Sequence, residues 1–262
     1  MCWAIVSPFV YIAKRLSLSR ENYLHSKIDD EHIATCQKIF AEQQIKNGLF
    51  KGLQFNNIEA TGSSIYAKLL GSYEMELMPV LKGLLQKKYD YFVNVGCDEG
   101  YYAVGIAKVL PVVKVIAFDC YKPAQERCKS LAILNGVAER ITVNGCFTIN
   151  ELEVIKSQNK VLFIIDCEGC EDDVIDERLI TQFPASDFII ELHYEKVPEI
   201  LPKLQTIFKA THNVSIVKAL SDHEKVMQYD FPEIGNLSYQ QKYFILEERE
   251  SYTEWLVATA VK

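Results

Sequence analysis

The chain has 262 residues, 49% of them hydrophobic, and carries 28 Lys and Arg against 35 Asp and Glu for a net charge of −7. That apolar fraction excludes disorder as the main state. The acidic balance leaves no surplus of cations to neutralise phosphates, which argues against a general nucleic-acid binder. The length suits one full α/β core with an extra segment, or two small domains.

The chain opens on an apolar run, MCWAIVSPFVYIA, followed by Lys14 and Arg15. A secretion signal carries its positive charge before the apolar run, and this run is too short to span a bilayer. The expectation is a terminal helix or arm that packs on the domain or on a second copy. A homodimer through this segment is the assembly it admits, and stable membrane insertion is not expected. The eight cysteines, at 2, 36, 97, 120, 128, 146, 167 and 170, are expected to be reduced thiols of a cytoplasmic protein, because the chain is large and has no convincing secretion signal.

Ile33, Cys36, Ile39, Phe40 and Ile45 fall near helical spacing, with Asp29 or Asp30 as cap and Gly48 as stop. Residues 48–64 read as loop, and a second helix is expected around 74–88. Beyond it the texture changes to short apolar runs alternating with helical stretches. Strands are expected at 89–95, 114–118, 141–143, 161–165 (VLFII, the strongest buried-strand signal), 188–192, 214–217 and 255–261. Helices are expected at 101–110, 123–135, 151–157, 171–180 and 197–209. Strands alternating with helices mean βαβ units and a parallel sheet covered on both faces. The expected fold is therefore α/β: a Rossmann-like, doubly wound, mostly parallel seven-stranded sheet over residues 71–262. An N-terminal helical arm or cap is expected over 1–70.

The segment VNVGCDEGYYAVGIA puts Gly96 and Gly100 in the turn between the first strand and its helix. Ligands of open α/β sheets bind beyond the carboxyl ends of the strands. Nineteen residues past Gly100, Asp119 ends the second strand, where a carboxylate can accept both ribose hydroxyls of an adenosine cofactor. A dinucleotide site uses G-x-G-x-x-G, so that helix amides hold a pyrophosphate. This turn instead reads G-x-x-x-G and contains Asp98 and Glu99. Two carboxylates there would repel a pyrophosphate, but they suit the sulfonium and amino group of S-adenosylmethionine.

The strand at 161–165 runs directly into DCEGCEDD. An ionised carboxylate at the end of an apolar strand is costly unless paired or functional, which singles out Asp166 and Glu168. Glu171, Asp172 and Asp173 read first as acidic residues at a helix start. On the next strand Glu191 and His193 alternate with Leu192 and share a face. His193 suits a general base for a hydroxyl acceptor, with Glu168 or Asp166 able to take the same part. Alternatively Asp166, Glu168 and Glu191 could hold a divalent cation that polarises the acceptor oxygen. Cys167 and Cys170 form C-x-x-C, with no second pair to complete a zinc site.

NVGCDEG, AFD, DCEGCE and IELHY, in this order and over about residues 70–195, resemble the class I S-adenosylmethionine-dependent methyltransferases, and within them the FkbM family. The resemblance implies the Rossmann-like fold and methyl transfer to oxygen, on a small-molecule or glycan acceptor. It strengthens Glu171 and His193 as site residues. Residues 144–148 follow the third strand, where adenine commonly lies in these methyltransferases, which makes Cys146 and Phe147 candidates. It also implies that the Gly-Ser-Tyr-Glu segment folds over the donor, with Tyr73 on its methionine end and Glu74 near its amino group. A capping Ser72 explains the same residues equally well. The sequence departs from the superfamily in two places. Asn94 stands where an acidic residue often opens the glycine motif, and Asp98 stands where a glycine is common. The rival readings are a nicotinamide-dependent oxidoreductase and a non-catalytic binding protein that keeps the fold.

Overall fold

The computed structural model describes residues 30–55, 65–248 and 253–261. The expected terminal arm at 1–13 lies outside the described residues. Helix α1 covers 30–39, and a single antiparallel bridge joins Gln44 to Gln54. Two short helices follow, α2 (Ile65–Leu70) and α3 (Met78–Leu84). The central layer is then laid down as β1 (Tyr91–Val95), α4 (Tyr101–Val109), β2 (Lys114–Phe118), α5 (Lys122–Leu134), β3 (Ile141–Asn144) and β4 (Val161–Ile165). The chain continues through α6 (Glu171–Val174), α7 (Glu177–Gln182), β5 (Asp187–Glu191), α8 (Ile200–Phe208), β6 (His212–Lys218), α9 (Asp222–Gln228), α10 (Tyr239–Leu246) and β7 (Glu254–Ala260).

The seven strands form one sheet in the order β3-β2-β1-β4-β5-β7-β6. β1 to β5 pair in parallel, while β7 runs antiparallel between β5 and β6. The Rossmann-like, mostly parallel architecture is as expected. Alternation along each strand feeds two cores. Phe92, Leu162 and Ile189 join the helices on one face. Val93, Phe163 and Phe188 join α7 and α8 on the other, with Phe163 and Phe188 stacked at 4.6 Å. Burial on both faces is what makes these strands near-continuous apolar runs.

Several boundaries differ from expectation. The helix expected at 151–157 is a single 3-10 turn, Ile149–Leu152. Asn159 accounts for this, because its side chain accepts from the Lys156 amide and closes a competing turn. The helix expected at 171–180 is broken in two at Ile175, and Asp176 restarts it by accepting from the amides of Arg178 and Leu179. Pro202 is tolerated in α8 because it lies in the first turn, where its missing N–H has no helical partner. Segment 221–248 holds α9 and α10, each opened by a capping box: Ser221 with Glu224, and Ser238 with Gln241.

Candidate functional site

Register sets the site. Val95 pairs with Phe118 on one side and Ile165 on the other, so β1, β2 and β4 end level. The next residues, Gly96, Asp119 and Asp166, therefore come together on one rim. They line a cleft of about 690 Å³, within the usual size of a cofactor site. The strand order reverses here, with β2 on one side of β1 and β4 on the other, as the crevice rule requires. Gly96 has φ +78°, and a Cβ built on it would stand 1.5 Å from the Asp166 carbonyl oxygen. Its glycine identity thus follows from the close approach of two backbones.

Asp119 receives two amides: Asp98 N–H donates to Oδ2 at 2.9 Å, and Tyr121 N–H donates to Oδ1 at 2.8 Å. These bonds hold the carboxylate in place and leave lone pairs for further donors. Asp98 is paired with Arg127 of α5. Burial and the neighbouring Glu99 raise its carboxyl to about 7, against the pull of Arg127 and Lys68. Glu99 is itself buried and bound to Lys68 of α2. Burial opposes its charge, but Lys68 holds the carboxyl below its ordinary value. The Lys68 ammonium also lies 4.8 Å from the Tyr73 ring centre and 5.5 Å from that of Tyr101, in cation–π range. Lys68 thereby ties the Gly-Ser-Tyr segment to the glycine turn, and Tyr73 reaches the cleft.

At the end of the cleft beside β2 and β3, Phe147 meets Phe118 edge to face at 5.1 Å. Cys120 and Cys146 line the same wall and are joined by a disulfide. This corrects the expectation that all eight cysteines are reduced. The five other described cysteines, at 36, 97, 128, 167 and 170, are free.

The opposite rim is built by the ends of β4 and β5. Glu171, fully buried, accepts from the Cys167 and Gly169 amides at 3.2 Å each and meets His193 Nδ1 at 2.9 Å. The other ring nitrogen, Nε2, lies 3.8 Å from Asp166, 3.7 Å from Glu168 and 4.0 Å from Glu191. Burial alone would lower the His193 pKa, but the hydrogen bond and charge of Glu171, with Asp166 and Glu168, raise it above the ordinary histidine value. Burial would raise Glu171, and its bonds from His193 and the loop amides lower it instead. The pair is therefore an imidazole oriented by a carboxylate, with Nε2 presented to the carboxylate rim.

Asp166, Glu191 and His193 each bring a ligand atom within 4.8 Å of the others. Two carboxylate oxygens and one imidazole nitrogen suit a divalent cation, and the Glu171 contact leaves Nε2 as the ligating atom. This group differs from the expected Asp166, Glu168 and Glu191: the Glu168 side chain is 76% exposed, and His193 takes its place. Glu168 also has φ +56°, as Asp98 (+38°) and Glu74 (+47°) are left-handed. Such strain in side-chain-bearing residues gathers at functional sites.

Not every expected residue reaches the cleft. Asn94 is buried between β2 and β4, and its amide donates to the Ile164 carbonyl at 3.4 Å. Its neighbour Val95 lines the cleft instead. Glu74 is hydrogen-bonded to the Tyr102 hydroxyl and borders a separate cavity of about 180 Å³ with Asp222 and Glu248. Gly100 lies under the turn as the left-handed cap of α4. Sequence reasoning missed Lys68 and Arg127, which come from helices remote in the chain. It also gave Glu171 first to helix capping, although the D-x-E-G-x-E spacing carried the signal.

No protein-family model matches the chain, and no curated protein does either. Solved structures similar to it include methyltransferases. A putative O-methyltransferase from Klebsiella pneumoniae aligns with TM-score 0.49 and 11% identity, over 74% of this chain and 82% of that one. The C-terminal domain of precorrin-6Y C5,15-methyltransferase from Rhodobacter capsulatus aligns with TM-score 0.49 and 12% identity, over 73% of this chain and 90% of that one. A precorrin-6Y C5,15-methyltransferase from Geobacter metallireducens aligns at 0.47 and 12%, over 69% and 85%. Among the described residues no helix is long and apolar enough to cross a membrane.

Proposed function

We propose that the chain is an S-adenosylmethionine-dependent methyltransferase of FkbM-like type that methylates a hydroxyl of a small molecule or glycan. The observation that carries this reading is the convergence of Gly96, Asp119, Asp166 and His193 on one cleft. Asp119 is the ribose acceptor, anchored from behind by two amides. Cys146 and Phe147 border the adenine, while Tyr73 borders the methionine end. Bound there, the cofactor supplies an electrophilic methyl group on a sulfonium.

The chain's own residues then do two things. The rim of Asp166, Glu168 and Glu191 positions the acceptor hydroxyl for in-line approach. His193 takes the hydroxyl proton on Nε2 while Glu171 stabilises the resulting imidazolium through Nδ1. If Asp166, Glu191 and His193 hold a divalent cation, the proton passes to Glu168 instead, and chelation abolishes turnover. A cytoplasmic location and pairing of copies through the N-terminal segment complete the proposal.

Calorimetry with S-adenosylmethionine and, separately, with NAD tests the cofactor. A labelled methyl-transfer screen over sugars and phenols, with and without a chelator, tests the reaction. Binding of NAD in preference to S-adenosylmethionine would sink the reading. Donor binding with no transfer to any acceptor would leave a binding protein on a methyltransferase scaffold.

A further inference from the structure

Cys120 and Cys146 stand at one particular place in the sheet. The β2–β3 register runs from Val115 with Ile141 to Phe118 with Asn144. Two residues further along each chain, it sets Cys120 opposite Cys146. Their Cα atoms are 4.3 Å apart, no more than the spacing of paired strands. The bridge thus holds two chains at sheet spacing beyond the point where they leave the sheet. That point is also the wall of the cleft: Cys120 follows Asp119, and Cys146 precedes Phe147. A flat ring held between two walls needs about 3.5 Å on each side, or roughly 7 Å in all. Both cysteines are exposed, so a small thiol can reach them.

We infer that the Cys120–Cys146 pair is a redox modification site that gates the adenosine end of the cleft: the disulfide narrows that end, and the dithiol lets the two chains part. The reaction is exchange with a small thiol such as glutathione. Two glutathione thiols are oxidised to one glutathione disulfide, the Cys120–Cys146 S–S bond is reduced by the two electrons released, and the two thiol protons pass to the cysteine sulfurs. The gate rests on the donor site proposed above, and its test separates the two ideas.

The full chain is equilibrated in glutathione buffers of graded ratio, and S-adenosylhomocysteine binding is measured by calorimetry, with the bridge followed by thiol alkylation and mass spectrometry. Binding is expected to weaken about tenfold or more on oxidation, the scale of losing a base's packing contact. In the Cys120→Ser/Cys146→Ser variant the ratio of affinities between the two buffers should fall to about one, whereas Cys167→Ser/Cys170→Ser should keep it. Equal affinity in both redox states, or a response that survives loss of Cys120 and Cys146, overturns the gate alone. No binding in either state overturns the donor site and the gate with it. Amide hydrogen exchange in segments 119–121 and 145–147 gives a ligand-free reading. It should rise on reduction, and unchanged exchange overturns the gate whatever the ligand does.

Discussion

Glu171→Gln removes a charge while keeping shape, and the structure sets the scale of the loss. The Glu171 carboxylate makes a 2.9 Å contact with His193 and takes two loop amides at 3.2 Å, with no solvent exposure. A hydrogen bond involving a charged group is worth about 1.5–3 kcal/mol and a neutral one about 0.5–1.5. Conversion of the His193 contact therefore destabilises the fold by about 1–2 kcal/mol. The effect should depend on pH in a definite sense. His193 has its pKa raised above 6.5, so its contribution is full below that value and is lost as pH rises through the raised pKa. Glu171 is lowered below 4.5, so its contribution is present above that value and is lost as pH falls through the lowered pKa. The wild-type advantage over Glu171→Gln is thus greatest between 4.5 and 6.5 and shrinks on the alkaline side. Urea denaturation of both proteins across pH, with chelator present, measures it, and NMR titration of the His193 ring checks the cause. A stability difference that stays flat from about pH 5.5 to pH 9, or a His193 titration unmoved by the substitution, would refute the pairing.

Other perturbations address other parts of the site. Asp119→Ala should weaken S-adenosylmethionine binding by about 1–3 kcal/mol, with calorimetry as the check and unchanged affinity ending the ribose role. Gly96→Ala drives a methyl group into the Asp166 carbonyl from a left-handed backbone. It should cost more than about 3 kcal/mol of stability or prevent folding, and a chemical melt resembling wild type would contradict the close approach of β1 and β4. Lys68→Met strands Glu99 as a buried charge and should destabilise by about 3–5 kcal/mol, whereas Lys68→Met/Glu99→Gln should recover much of that loss. Comparative melts decide between them. If His193 is the base, turnover should rise along a limb centred above 6.5, the direction of its shift, and a limb in the carboxylate range would move the role to Glu168 or Asp166.

The sheet was legible because its strands are buried on both faces. Lys114–Phe118 and Val161–Ile165 read as closed apolar runs, and the structure begins and ends them at the same residues. The rim was legible for a related reason: a carboxylate that ends such a run stands out chemically, as Asp119 and Asp166 do. Helix α2 was not, since six residues give too little periodicity, and its importance lies in Lys68, which meets Glu99 only through the fold. The Cys120–Cys146 pair was legible in part: both cysteines fall near expected strand ends, but nothing in the spacing of the cysteines reveals the β2–β3 register that joins these two. Helices α9 and α10 are a different case. Their Ser-x-x-Glu and Ser-x-x-Gln starts are present in the sequence, but helices of 7 and 8 residues are too short to show an apolar stripe of helical period.

Strand β7 follows β6 in the chain yet lies between β5 and β6. As the polypeptide emerges from the ribosome, β6 has no neighbour to dock on until residues 254–260 have been made. Until then β5 presents a bare edge, the kind of surface on which nascent chains stick to one another. The same strand braces the carboxylate rim: Trp255 pairs with Glu191, and the Leu192 amide donates to the Glu254 carbonyl. A chain that has not yet added β7 therefore lacks the strand that pairs with Glu191 and anchors the backbone leading to His193.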